Sequence, residues 1–359
     1  MRIATVSREF WSQKRVFLTG HTGFKGAWLS LWLSDMGAQV FGYALPPPTL
    51  PNLFDLAHVA ECLSKHQVAN IHDAPLLTEA IKSAEPDIVI HMAAQALVRS
   101  GYSDPINNYM TNVMGTVHLL EACRQQNSIA AILIVTTDKC YENREWQWGY
   151  REIDRLGGRD PYSNSKACAE LVTAAYRDSF YTTTSAPLVA SARAGNVIGG
   201  GDWAADRLVP DMIRAYLADK EPQIRSPNAT RPWQHVLEPL HGYLQLCEAL
   251  FQRDRKTATA WNFGPAPDDA RPVAWIADRI AHLWHEGANW AYDETLHPHE
   301  ANYLYLDTAK ARNELGYKPR WALPEALERV VTWYKGVSAG ADPKRLTLDQ
   351  IHSFERTQI

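Results

Sequence analysis

The chain has 359 residues, 46 % of them hydrophobic, enough to bury one large core or two fused domains. Charged residues make up 21 % and the formal charge is -4, which excludes a basic surface built mainly for nucleic acid. No apolar run reaches the length of a bilayer span, and the opening MRIATVSREFWSQKR lacks the apolar segment of a secretory leader.

In chain order, residues 14–19 read as a short buried strand. Glycines follow, then FKGAWLSLWLSDMG, where Phe24, Ala27, Trp28, Leu31 and Trp32 recur at helical spacing until Gly37. Trp28 and Trp32 fall on the apolar face and are assigned to the core. Residues 39–43 predict a second strand, completing a βαβ unit. Further strands are expected at 87–92, 130–136 and 188–194, with helices at 109–124 and 162–180. Continuous apolar strands alternating with helices imply a doubly wound parallel sheet, covered on both faces. The polar, Trp-containing stretch 142–159 reads as a long ordered loop near a site. After residue 195 the alternation weakens. The expected organisation is a dinucleotide-binding domain over 1–195, joined by a later contribution from about 232–262, and a smaller mixed domain over 196–359. The five cysteines, Cys62, Cys123, Cys140, Cys168 and Cys247, include no C-x-x-C pair, as expected of a reduced cytoplasmic protein.

Gly20, Gly23 and Gly26 form G-x-x-G-x-x-G directly after the first strand. The first glycine permits the sharp turn, the second lets a pyrophosphate approach the backbone, and the third lets helix and sheet pack closely. The helix N-terminus then offers N–H groups to phosphate. The acid that NAD-binding proteins place near the end of the second strand is missing between residues 39 and 54. No Arg or Lys stands there for a 2′-phosphate, so these residues leave NAD against NADP open.

Tyr162 and Lys166 form Tyr-x-x-x-Lys, with both side chains on one helix face. A nearby ammonium and an oxidised nicotinamide both favour the phenolate, which suits Tyr162 to remove a hydroxyl proton as hydride leaves the same carbon. The strand ending in Thr136, Thr137, Asp138 and Lys139 places a hydroxyl and two ionisable groups beside them. His297, His299 and Glu300 have metal-ligand chemistry, but the reaction class implied by the rest needs no metal.

The combination resembles the extended short-chain dehydrogenase/reductase family. Within it, VFLTGHTGFKGAWLSLWL, GYALPPPTLPNLF, AAQALVRSGYSDP, RAGNVIGGGDWAADRLVPD and HPHEANYLYLDTAKARNELGYKP resemble the nucleoside-diphosphate-glucose 4,6-dehydratases, most of all the CDP-glucose branch. His21 and Lys25 inside the glycine turn are typical of that branch. The resemblance runs from about residue 15 to residue 334. It implies a Rossmann-type fold with a C-terminal nucleotide-sugar domain, NAD as cofactor, and a redox-neutral dehydration serving deoxysugar and surface-polysaccharide synthesis. It implies that Thr137 bonds the sugar 4-oxygen, that Asp138, kept protonated by a raised pKa, protonates the leaving 6-hydroxyl, and that Lys139 acts at C5 as a neutral base or as a cation. Gly20, Thr22, Gly23, Phe24, Lys25 and Gly26 would surround the pyrophosphate. Asn70 and Ile71 would meet adenine, Asn70 standing where the family usually has Asp. Ala93, Ala94, Thr111 and Thr136 would line the cofactor with Tyr162 and Lys166. Asn196, Arg207, Arg231 and His299 would hold the substrate, arginine suiting phosphate by its bidentate fork. Family members commonly pair through two helices, here about 109–124 and 162–180, so a homodimer or homotetramer is expected. An epimerase on the same scaffold, a non-catalytic cofactor sensor and a different sugar-nucleotide dehydratase of the same family are the competing readings. The Asp138–Lys139 pair argues against the first, and the intact Thr137, Tyr162 and Lys166 against the second.

Overall fold

Apolar runs too short for helices and unable to face water become the inner strands of a parallel sheet. In a computed structural model describing residues 6–285, 287–295 and 303–357, the strands are β1 (Arg15–Thr19), β2 (Gln39–Ala44), β3 (Lys65–Val68), β4 (Ile88–His91), β5 (Ala131–Val135), β6 (Leu188–Ala194), β7 (Asn196–Ile198), β8 (Gln223–Ile224), β9 (Thr230–His235), β10 (Ala260–Phe263), β11 (Ala270–Pro272) and β12 (Ala291–Tyr292). Seven of them make one sheet in the order β10-β6-β5-β4-β1-β2-β3, with every neighbouring pair parallel. The order reverses between β1 and β4, and a crevice opens beyond their carboxyl ends.

Side chains alternate across this sheet as the strand period requires. Val16, Leu18, Ile88, Ile90 and Leu133 join one buried cluster, while Phe17, Val89, Ile132 and Ile134 join the cluster on the other face. Trp28 and Trp32 are fully buried in the first cluster, as expected. Their indole N–H groups donate to the Gly200 carbonyl at 2.9 Å and to Glu355 Oε1 at 2.8 Å.

The helix Ala74–Ala84 and β3 lie outside the sequence-based expectation, and the helix before β5 differs from its expected form. β3 (KHQV) has no apolar signal, because it is a largely exposed edge strand. The helix expected over 109–124 begins earlier and is broken into Val98–Ser103, Pro105–Tyr109, a π-helical turn Met110–Met114 and Gly115–Arg124. Asp104 caps the second piece through Asn107 N at 3.0 Å, with Pro105 at its first position. The widened turn carries Thr111, which lines the crevice, and the buried Asn112, whose amide bonds Gln95 and Ser165; such turns are frequent at functional sites.

Beyond β6 the chain builds a small three-stranded sheet, β11-β9-β7, and the pair β12-β8. It then returns: the helix Leu237–Phe251 packs on β5 and β6, and β10 extends the large sheet beside β6. The last helix, Pro343–Arg356, packs on the helix Phe24–Asp35, with His352 Nε2 2.8 Å from Asp35 Oδ2. All five cysteines are free thiols. Among the described residues no helix is long and apolar enough to cross a membrane.

Candidate active site

A cleft of about 1300 Å³ runs from the glycine turn, past the ends of β4 and β5, to the wall formed after β6. Gly20 sits at φ +77°, where a Cβ would come within 2.7 Å of the Ala93 nitrogen; at Gly26 a Cβ would come within 2.1 Å of the Gly20 carbonyl. Both glycines are therefore demanded by the protein's own packing. Gly23 is different: the nearest atom to a Cβ there is 3.4 Å away, an ordinary contact. Its bareness serves whatever approaches from the cleft. The helix Phe24–Asp35 starts at Gly23 without a side-chain cap, leaving its first N–H groups for an anion. This cradle fits a dinucleotide pyrophosphate.

The other residues expected at the cofactor, Thr22, Phe24, Asn70, Ile71, Ala93, Ala94 and Thr111, line the same cleft. Thr22 Oγ1 donates to the Leu45 carbonyl at 2.8 Å, and Asn70 Oδ1 accepts from His72 N at 2.9 Å. Thr19 Oγ1 accepts from Met92 N and Ala93 N, both at 3.1 Å, which fixes the backbone entering Ala93 and Ala94. Thr136 also lines the cleft, but its hydroxyl donates away from it, to Glu170. His21 turns inward: its ring covers Gly42, where a Cβ would come within 2.5 Å, and its Nε2 lies 2.7 Å from His66 Nδ1. Burial pushes the His21 pKa down to about 3, so the ring is neutral. Lys25 lines the cleft among Arg207, Lys166, Asp138 and Lys139, and burial, reinforced by Arg207 and Lys166, brings its pKa down to about 7.

The helix Pro161–Phe180 is capped by Asp160, which accepts from Ser163 N at 2.9 Å, and this cap sets Tyr162 in the first turn. Tyr162 and Lys166 are both buried and both face the cleft. Burial raises the Tyr162 pKa to about 12, although the neighbouring Thr137 hydroxyl favours the phenolate. The protein's own groups thus hold a neutral phenol, and the sequence-based expectation of a phenolate depends on positive charge arriving with the cofactor. Lys166 Nζ donates to the Val135 carbonyl at 3.3 Å; burial brings its pKa down to about 8, with Glu170 opposing.

Thr137 caps the short turn Asp138–Cys140 and donates to Asp138 Oδ1 at 3.0 Å. Lys139 Nζ stands 3.7 Å from the same oxygen and is one-third exposed to the cleft. Asp138 is fully buried, and its Oδ2 has no partner among the described residues. That oxygen faces the bare Cα of Gly195, where a Cβ would come within 3.1 Å. A dehydrogenase pair and a carboxyl with one uncommitted oxygen therefore share one wall.

Sequence reasoning did not single out the network beneath this wall. Glu170 is four residues beyond Lys166 on the same helix face. Its carboxylate pairs with Arg193 at 2.8 Å, accepts from Ser191 at 2.6 Å, and accepts from Thr136. Arg193 Nη1 donates to Tyr141 Oη at 2.7 Å, and Tyr141 donates to Asn262 Oδ1 at 2.8 Å. Asn262 Nδ2 then donates to the Tyr150 carbonyl at 2.8 Å inside the loop 142–159. That loop is ordered by stacking of Tyr150 on Tyr141 and Trp146, with centroids 5.1 Å apart in each case, and by Tyr150 N donating to the Tyr305 carbonyl at 2.8 Å. The helical spacing from Tyr162 through Lys166 to Glu170 was the available signal.

On the substrate wall, Asn196 of β7 lies opposite Trp233 of β9, and its Oδ1 has no partner among the described residues. Arg207 Nη1 is held 2.7 Å from Asp202 Oδ2, an aiming contact that sequence did not single out. Arg231 is buried on β9 and lines the cleft. His299, with His297 and Glu300, lies outside the described residues. Among the described residues no cluster of three His, Cys, Asp or Glu could hold a metal. Cationic side chains outnumber carboxylates along the lining although the whole chain is acidic, which suits polyanionic ligands.

The family model described as GDP-mannose 4,6 dehydratase matches residues 17–330. The chain is 52 % identical over 341 residues to the CDP-glucose 4,6-dehydratase of Salmonella typhimurium, covering 94 % of this chain and 95 % of that protein. It is 27 % identical to a probable dTDP-glucose 4,6-dehydratase of Sinorhizobium fredii, over 95 % and 98 % of the two chains. The solved structure of dTDP-glucose 4,6-dehydratase from Bacillus anthracis in complex with NAD superposes with a TM-score of 0.74 at 21 % identity, covering 92 % of this chain and 99 % of that one. An epimerase from Methanothermobacter thermautotrophicus superposes with a TM-score of 0.79 at 20 % identity, covering 92 % and 95 %. At those identities the structural likeness is one of fold.

Proposed function

The chain belongs to the GDP-mannose 4,6 dehydratase family, and from that premise we propose that it converts CDP-D-glucose to CDP-4-keto-6-deoxy-D-glucose with NAD as a resident cofactor. The observation that carries the reading is the uncommitted Asp138 Oδ2 beside Thr137 and Tyr162. Oxidation at C4 needs only the tyrosine and lysine; loss of the 6-hydroxyl as water needs a proton donor as well. The relative that supports the nucleotide choice is the Salmonella CDP-glucose enzyme, at 52 % identity.

NAD, when bound, supplies a place for the C4 hydride and gives it back at C6. The residues of the cradle, Gly20, Thr22, Gly23, Phe24, Lys25 and Gly26, would hold its pyrophosphate, with Asn70 and Ile71 at adenine. Ala93, Ala94 and Thr111 would flank it. Thr137 holds the 4-oxygen, and Tyr162 takes its proton, with the Lys166 ammonium steadying the phenolate. The resulting ketone acidifies C5–H. Lys139 acts at C5, as a neutral base that takes the C5 proton and returns it as hydride adds at C6, or as a cation facing the enolate, and Asp138 delivers a proton to the departing 6-hydroxyl. Asn196, Arg207 and Arg231 hold the diphosphate, and His299 is assigned beside them. The segment 196–359, apart from the return through 232–262, is the nucleotide-sugar domain. The molecule works in the cytoplasm as a homo-oligomer.

Turnover with NAD is measured on CDP-glucose, dTDP-glucose, UDP-glucose and GDP-mannose in parallel, read by the alkali-induced ultraviolet absorbance of a 4-keto-6-deoxy sugar. Product from CDP-glucose is expected. Product from another donor only would overturn the substrate assignment, and no product from any donor would overturn the dehydratase assignment.

A further inference from the structure

Past the diphosphate anchors, the substrate wall carries a charged pair that chemistry at the sugar does not use. Asp206 immediately precedes Arg207 and sits at φ +62°. Its Oδ1 lies 3.2 Å from Arg225 Nη1 and 3.2 Å from Nη1 of Arg99 on the facing wall. Arg225 Nη2 adds a contact to the Asp206 carbonyl at 3.4 Å. Two bonds to one oxygen fix the carboxylate and leave Oδ2 with no partner among the described residues; Arg225 Nε is likewise uncommitted. Both side chains line the cleft and remain partly open to it, 39 % for Asp206 and 20 % for Arg225.

The surroundings combine one further carboxylate, Asp211, which is bonded to Arg214 and acts electrostatically on both members of the pair, with aliphatic side chains. Leu208, Val209, Pro210, Ile224 and Val273 line the same stretch of wall. A charged pair set among aliphatic side chains has the pattern a flat heterocycle needs: nonpolar contact for its faces and specific donors and acceptors for its edge. Position agrees. The sugar must reach Tyr162, and Arg207, the chain neighbour of Asp206, lies close enough to Tyr162 for the two to interact electrostatically. The chain neighbour Asp206 and its partner Arg225 are left for the nucleoside end.

We propose that Asp206 and Arg225 read the base edge of the nucleotide sugar and select cytosine. Cytosine presents a 4-amino donor followed by the N3 and O2 acceptors. Asp206 Oδ2 accepts from the amino group, and the Arg225 guanidinium donates to N3 and O2. Uracil and thymine reverse the first two positions: their O4 carbonyl meets a carboxylate and their N3–H meets a guanidinium, leaving dehydrated groups unpaired. The inference rests on the CDP-glucose reading and supplies its residue-level basis.

The test has two arms. On the unmodified protein, CMP, UMP and the pyrimidin-2-one nucleotide that lacks the 4-amino group compete with CDP-glucose. The last two are expected to bind about tenfold or more weaker than CMP. Equal binding of the pyrimidin-2-one nucleotide overturns the role of Asp206. In the second arm, kcat/KM for CDP-glucose and UDP-glucose is compared in D206N and R225Q. The CDP-to-UDP preference is expected to fall about tenfold or more, chiefly through KM for CDP-glucose. A variant that slows both donors equally has only a structural role there, and an unchanged preference in both variants overturns the proposal. Unmodified protein that ignores CDP-glucose but dehydrates another donor removes the reading beneath; protein that selects CDP-glucose while both variants keep that selection removes only this inference.

Discussion

At the scale of single residues, protonation decides what the site can do. Tyr162 is a neutral phenol in its buried setting, with a pKa of about 12, whereas Lys166 is brought down to about 8. Lys166 therefore keeps its ammonium below that value and loses it as pH rises through it. We predict that turnover falls on the alkaline side with a limb near pH 8, measured as kcat against pH. Y162F, which removes the proton acceptor but little volume, is expected to lower kcat by about a hundredfold or more while nucleotide-sugar binding by calorimetry stays within a few-fold. Binding lost in parallel with turnover would make Tyr162 a structural residue instead. Gly23 is a lesson of the same scale. Spacing alone cannot say which glycine of the three serves the ligand, whereas contact geometry shows that Gly20 and Gly26 are demanded by the fold and Gly23 is not.

At the scale of elements, the helix Pro161–Phe180, which carries Tyr162 and Lys166, and the ends of β5 and β6 are tied by the Glu170–Arg193 pair. Burial alone would raise the Glu170 carboxyl, but the Arg193 charge and the bonds from Arg193, Ser191 and Thr136 hold it below its ordinary value. Both partners are 3 % exposed, so removing one leaves the other buried and uncompensated. E170Q is expected to cost about 3–5 kcal/mol of stability, read by denaturant unfolding. It should also move the alkaline limb of the pH profile to lower pH, because Glu170 is the main group sustaining the Lys166 charge. A destabilised variant with an unmoved limb would confine Glu170 to architecture. Acid should act on the same pair: the stability contributed by a depressed carboxyl is present above its unfolded value and is lost as pH falls through the folded one.

At the scale of the whole molecule, several exposed apolar side chains lie on two adjacent helices. Ile106, Tyr109, Met110 and Met114 lie on the broken helix, and Leu171 and Phe180 lie on the neighbouring Pro161–Phe180. A patch of this kind on two adjacent helices suits a twofold self-contact. The double variant M114K/L171K is expected to sediment as a smaller species than the unmodified protein. An unchanged sedimentation coefficient would overturn this self-contact. The cleft belongs to this scale too, since its walls come from segments far apart in the chain that are brought together by the return of 232–262 onto the large sheet.

Sequence alone carried the parallel sheet, the glycine turn, and the grouping of Thr137, Asp138, Lys139, Tyr162 and Lys166, because those signals are local: apolar runs, a turn needing bare Cα atoms, and a four-residue helical spacing. It missed β3, an exposed edge strand that needs no apolar residues. It predicted the helix before β5 without its π-helical turn, which is a matter of packing and not of periodicity. Tertiary structure alone decided that Thr136 turns to Glu170, that Lys25 reaches toward the reaction centre, and that Asp202 aims Arg207. It alone joined Asp206 to Arg225 across 19 residues and to Arg99 on the facing wall. The physical reason is common to all of these: a hydrogen bond or ion pair depends on distance in space, and distance along the chain carries almost no information about it once helices and strands have folded back on one another.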